Sequence, residues 1–79
     1  MASDQAEKLS QIFRFILQLP DDADTSRIRR INEVRWDSLA SVTLVTALES
    51  EFGISLDSHE IDRLTSYQAT LLLLSEKLR

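Results

Sequence analysis

An aspartate followed by a serine, Asp37-Ser38, stands where a polar connection gives way to an apolar periodic run, and no other step in the chain is better placed for chemistry. A residue there begins a helix, where backbone N–H groups lack partners and the helix dipole is positive. A hydroxyl at that point suits a covalently attached phosphate, whose charge the helix end would stabilise. Either residue can equally be no more than an N-cap, the commonest use of Asp or Ser before a helix. The other candidates are poorer. His59 is the only histidine, lies among acids, and has no second ligand at metal spacing. A triad of Ser38, His59 and an aspartate lacks any sign of an oxyanion hole or substrate pocket, so the chain reads as a non-enzyme. With no cysteine there is no disulfide, redox pair or thiolate metal site, and thiol chemistry must arrive on a cofactor.

The elements that position this step follow from apolar spacing. Leu9, Ile12, Phe13, Ile16 and Leu17 mark an amphipathic helix that starts near Ser3 or Asp4 and ends before Pro20. A polar connection from Asp21 to Arg35 follows, with Ile28, Ile31 and Val34 expected to anchor it to the core. A second helix runs from about Ser38 to Phe52, with Gly53 as its C-terminal cap. Val42, Leu44, Val45, Leu48 and Phe52 are assigned to its core face, with Ala47 at the edge. Leu39 points nearly the opposite way, beside Thr43, Thr46 and Ser50. Asp57 or Ser58 caps a short third helix through Leu64, and Thr65 or Ser66 caps a fourth with Tyr67, Leu71, Leu74 and Leu78 on one stripe. These elements predict an all-α four-helix bundle with a long loop between helices 1 and 2 and a short third helix, a single domain over residues 1–79.

Charge is unevenly distributed. The net charge is −4, yet residues 27–35 carry +3 through Arg27, Arg29, Arg30 and Arg35 against Glu33. Residues 37–62 carry six acids and no Lys or Arg. An acidic middle disfavours nucleic acid and favours basic protein partners. The arginines are expected to balance that acidity within the domain, or to meet a phosphate or a partner's acids. Trp36 is expected to cover or enter the core, given the area an indole buries, with a cofactor or partner contact as the alternative. The longest apolar run, Leu71 to Leu74, is far too short to span a bilayer, and the first residues lack the pattern of a signal peptide, which predicts a cytoplasmic protein without membrane insertion.

Asp37-Ser38-Leu39, followed by VTLVTALESEFGISL (residues 42–56) and LTSYQATLLLL (residues 64–74), resembles the acyl carrier proteins and their peptidyl-carrier relatives over nearly the whole chain. The resemblance implies phosphopantetheine, derived from coenzyme A, attached to the Ser38 hydroxyl, with Asp37 orienting the cofactor or the transferase's metal and Leu39 as an apolar docking contact. It implies a monomeric carrier of acyl or aminoacyl thioesters. Its partners would be a phosphopantetheinyl transferase and loading ligases, acyltransferases or synthases of fatty-acid, polyketide or other secondary-metabolite biosynthesis. Partner contacts fall on Leu39, Thr43, Thr46, Glu49, Glu51, Asp57, Glu60, Ile61 and Asp62, and the route for an acyl chain on Leu39, Val45, Ile61 and Leu64. The chain departs from the family in having Arg35 and Trp36 where a Gly and a small or apolar residue are usual, and in the nearly uncharged outer face of helix 2. Both departures point to a dedicated partner set. The competing reading is an unmodified helical interaction module that keeps the carrier fold.

Overall fold

The computed structural model describes the backbone of residues 2–78 and the side chains of residues 4–78. Among them are four helices, α1 (Ala2–Ile16), α2 (Ser38–Phe52), the short α3 (Ser58–Asp62) and α4 (Tyr67–Lys77). Among the described residues there is no strand, only an isolated antiparallel bridge between Arg29 and Ser66. No described helix is long and apolar enough to cross a membrane. The all-α four-helix architecture with one short helix is as expected. A single 3₁₀ turn, Arg30–Asn32, lies within the long connection and was not foreseen.

The helix ends follow local chemistry. Asp4 lies inside the first turn of α1 rather than capping it, and the side chain of Ser3 lies outside the described residues. α1 closes with Gln18 in the left-handed region at φ 56, the Gln18 N–H bonded to Phe15 O and the Leu19 N–H to Arg14 O. This is a Schellman ending with glutamine where glycine is usual, at a cost of about 1 kcal/mol. Gly53, at φ 63, ends α2 in the same conformation without that cost, and the Ile54 N–H reaches back to Glu49 O. Asp57 caps α3 in a reciprocal box with Glu60, and the Ser66 hydroxyl caps α4.

Leu9 and Phe13 of α1 with Leu17 just beyond it, Ala40, Leu44 and Leu48 of α2, and Tyr67, Thr70, Leu73 and Leu74 of α4 meet in the core with Leu64. Val45 and Phe52 pack against it half-buried, but Val42 does not: it is 64% exposed. At about 100° per residue, Val42 stands roughly 200° from Leu44, so it joins Leu39 on the outer face. On α4, Leu71 and Leu78 are only half-buried, and Thr70 and Leu73, absent from the expected stripe, are enclosed.

The long connection is held differently from expectation. Ile28 packs on the core, whereas Ile31 and Val34 are 86% and 93% exposed. Backbone bonds anchor the segment instead, from the Arg30 N–H to Thr65 O at 2.8 Å and from the Tyr67 N–H to Ile28 O at 2.9 Å. Two buried side chains complete the attachment. Thr25 bonds Ser10 at 2.9 Å, and Trp36 meets the Phe13 ring edge-to-face at 5.2 Å. Phe13 takes a second such contact from Tyr67, at 5.4 Å. The Tyr67 hydroxyl bonds Ser10 at 3.0 Å and donates to Ala6 O at 3.0 Å.

Every buried side-chain N and O among the described residues has a partner. Tyr67→Phe removes the hydroxyl that joins Ser10 to Ala6 O and leaves the Ser10–Thr25 pair beneath the connection one hydrogen-bond partner short. It should cost about 1–2 kcal/mol in chemical denaturation, with amide exchange accelerated first at Thr25 and Ser26. An unchanged midpoint would show that the network carries no net stability.

Candidate functional site

The start of α2 divides two tasks between neighbouring residues. Asp37 is the N-cap: its backbone is extended, and Oδ1 accepts the Ala40 N–H at 2.9 Å. Ser38 is the first helical residue, exposed, and its hydroxyl has no partner among the described residues. Capping by Asp37 thus leaves Ser38 Oγ available. The N–H groups of Ser38 and Leu39 also lack acceptors, as expected for a first turn, and they lie at the positive end of a helix of 15 residues. An oxyanion joined to Ser38 Oγ would meet those two donors. The residues present therefore fit a phosphodiester at this serine.

Trp36, immediately upstream, is 5% exposed and donates its indole N–H to Ser41 Oγ at 3.1 Å. It is a core residue, not a surface contact for a cofactor. It fixes the chain entering the Asp37-Ser38 step from both sides, through Phe13 behind and through the first turn of α2 in front.

The outer face of α2 is more apolar than its sequence suggests. Leu39 is 74% exposed beside Val42. Thr43 Oγ1 donates to Leu39 O at 2.9 Å and Thr46 Oγ1 to Val42 O at 3.1 Å. With both hydroxyls turned to the helix backbone, the stripe Leu39, Val42, Thr43, Thr46 presents mainly carbon. Leu39 and Thr43 also border an open cleft of about 1050 Å³ toward α1, which Phe15, Leu19, Arg35 and Asp37 help to line.

Most of the expected acidic partner contacts are engaged within the protein. Glu49 is half-buried and its Oε2 accepts the Leu56 N–H at 2.9 Å, stapling the α2–α3 loop. Glu51 lies 3.9 Å from Lys8. Asp57 caps α3, and Glu60 pairs with Lys77 at 2.9 Å while its other oxygen accepts the Asp57 N–H at 3.0 Å. Asp62 is exposed and has no such partner among the described residues. Of the expected acyl-chain route, Leu64 is buried, Val45 and Ile61 are half-buried, and Leu39 is surface. A small apolar void of about 10 Å³ lies elsewhere, between α1 and α2 beside Phe13, Trp36 and Leu44.

The arginines do not balance the acids. Among the described residues, none of Arg27, Arg29, Arg30 and Arg35 makes an ion pair; the pairs present are Lys8–Glu51, Arg63–Glu76 and Lys77–Glu60. Arg27 acts only at a distance, helping to hold Asp24 below the ordinary carboxylate range, an effect due first to the Ser26 hydroxyl and N–H. His59 is exposed on α3, and no cluster of potential metal ligands occurs among the described residues.

Comparison with known proteins agrees with this geometry. A family model described as "Phosphopantetheine attachment site" matches residues 7–74. An acyl carrier protein of Petrotoga mobilis is 33% identical over 91% of this chain and 85% of its own length. The chloroplastic acyl carrier protein 4 of Cuphea lanceolata is 34% identical over 77% of this chain, and acyl carrier protein 5 of Arabidopsis thaliana is 33% identical over 89%. The chain spans 44% and 50% of the length of those two plant relatives.

Two outcomes test the site's local physics. Asp37→Ala should destabilise the fold by about 1 kcal/mol through loss of the cap, whereas Ser38→Ala should move the unfolding midpoint by less than about 0.5 kcal/mol. A large loss in Ser38→Ala would mean that the serine, not Asp37, secures the helix start. Glu60 titrates below its ordinary 4.5 because the Asp57 N–H, then Lys77, favour its carboxylate. Its contribution is therefore full above pH 4.5 and is lost as the pH falls through the lower folded value. Amide protection of Ser58–Asp62 should drop on that acidification, and in Glu60→Gln the same step should disappear.

Proposed function

The chain belongs to the acyl carrier protein family, whose prosthetic group is covalent phosphopantetheine, and we propose that Ser38 is its attachment site. The observation that carries this reading is the unpartnered Ser38 hydroxyl at a helix start whose cap is already supplied by Asp37. The group supplies a flexible arm ending in a thiol, which carries acyl or aminoacyl groups as thioesters, and this matches a chain with no cysteine of its own.

The protein's residues hold and present that arm. The free N–H groups of Ser38 and Leu39 stabilise the phosphate, and the Asp37 oxygen not used in capping is left to orient the transferase's metal. Trp36 and the first turn of α2 keep the attachment point rigid while the arm moves. Leu39, with Val42, Thr43 and Thr46, forms an apolar landing strip for partner enzymes. Glu51, Asp62 and the residual field of Glu49, Asp57 and Glu60 steer basic groups toward it, with Ile61 at the edge of α3. The protein catalyses nothing itself. It acts as a monomeric cytoplasmic carrier between a phosphopantetheinyl transferase, a loading ligase or acyltransferase, and a synthase.

A dedicated pathway is supported by the outer face of α2, where carbon replaces the acids that general fatty-acid-synthesis partners meet. Surface charges act mainly on encounter rate, so their loss narrows the set of partners more than it abolishes docking.

Incubation with coenzyme A and a broad-specificity phosphopantetheinyl transferase, followed by intact mass measurement, should show one added arm on the protein and none on Ser38→Ala. Absence of any gain, with the host's own transferase included, would leave the chain as an unmodified interaction module.

A further inference from the structure

The segment from Arg27 to Arg35 carries +3 in a protein of net charge −4, and its features exceed what packing requires. Arg27, Arg29, Arg30 and Arg35 are exposed and form no ion pair among the described residues. Between them stand Ile31 at 86% and Val34 at 93% exposure, both aliphatic and almost entirely in water. Neither residue supports the fold, since backbone bonds and the buried Thr25 and Trp36 already secure the connection.

The segment is also built to hold its shape. The Arg30 N–H is bonded to Thr65 O, and the Arg29–Ser66 bridge ties the chain to the start of α4. The Arg29 N–H is bonded to Asn32 Oδ1 at 3.1 Å, and the Arg35 N–H to Glu33 Oε1 at 3.2 Å. A fixed backbone carrying unpaired guanidinium groups around bare aliphatics has the composition of an interface, where Arg is enriched and preorganisation lowers the ordering cost.

We propose that residues 27–35 form a second docking surface, opposite in sign to the rest of the domain, for an acidic protein surface that presents carboxylates around a shallow apolar recess. Guanidinium forks match carboxylates in pairs, and Ile31 and Val34 fill the recess. Nucleic acid is a poorer match, because the segment exposes no aromatic side chain for stacking and Trp36 is buried. An anionic bilayer is also poorer, because mobile headgroups offer no fixed array of carboxylates to guanidinium groups carried on a fixed backbone. Trp36 and Asp37 join this surface directly to Ser38, so a partner held here sits beside the carried group. The inference deepens the carrier reading by naming the chemistry of one partner face, but the surface itself does not depend on modification of Ser38.

Isotope-labelled protein should be titrated, by NMR, with a synthetic amphipathic Glu/Leu helical peptide. Parallel titrations use its Lys/Leu counterpart, a single-stranded oligonucleotide, and phosphatidylserine vesicles. Saturable shifts centred on residues 27–36 with the Glu/Leu peptide are expected. Arg29→Glu with Arg30→Glu should weaken binding about tenfold, and Ile31→Ser with Val34→Ser should weaken it severalfold without changing the fold by circular dichroism. The proposal is overturned by no saturable shift in this segment, by equal response to the Lys/Leu peptide, or by tighter binding of the oligonucleotide or vesicles. The mass measurement on Ser38 is independent of all these outcomes, so failure here leaves the attachment reading standing.

Discussion

Phe13 holds this small bundle in register. Its ring makes edge-to-face contacts with both Trp36 and Tyr67, at centroid distances of 5.2 and 5.4 Å. Three parts of the chain far apart in sequence meet there: α1, the end of the long connection, and the start of α4. Edge-to-face pairs add about 0.5–1.5 kcal/mol each beyond the area they bury. In a chain of 79 residues, with a core near the lower limit for independent folding, such contacts decide where the functional step is held. Trp36 precedes Asp37 directly, so a ring packed in the core sets the direction in which the chain enters α2.

From that fixed entry, helix electrostatics separates two adjacent polar residues into different roles. Asp37 accepts an N–H of its own helix, and Ser38 is left exposed with an unpartnered hydroxyl. Had the serine been the cap, its oxygen would be turned into the helix and less available for modification. The same economy shapes the face beyond it. Thr43 and Thr46 turn their hydroxyls onto backbone carbonyls one turn earlier, so an outwardly polar stretch becomes a strip of methyl and aliphatic surface beside Leu39 and Val42.

Charge is sorted as firmly as polarity. The acids from Glu49 to Glu60 are largely used to staple a loop, cap a short helix and pair with lysines, which keeps α3 attached despite its five residues. Arg27, Arg29, Arg30 and Arg35, just upstream of Ser38, make no ion pair among the described residues. Ser38 therefore lies at a boundary between a positive segment and a negative one. A partner approaching Ser38 meets a surface with a direction, which favours one orientation of encounter over its reverse.

Local rules carried most of the architecture. The spacing of Leu9, Phe13 and Leu17, the bounds of α2, the cap at Gly53, the caps of α3 and α4 to within one residue, and the Asp37-Ser38-Leu39 step were all legible from residue types and periods, because each depends on neighbours within a turn or two. Tertiary structure decided the rest. It left Ile31 and Val34 in water, enclosed Thr70, and chose Asp37 over Ser38 as the cap, whereas the outward position of Val42 follows from the helix period itself. Tertiary structure also determined that Glu49, Glu51, Asp57 and Glu60 are engaged, whereas Arg27, Arg29, Arg30 and Arg35 make no ion pair among the described residues. Those outcomes turn on which side chains meet across long stretches of chain, and a one-dimensional pattern holds the charges and apolar groups without holding the distances between them.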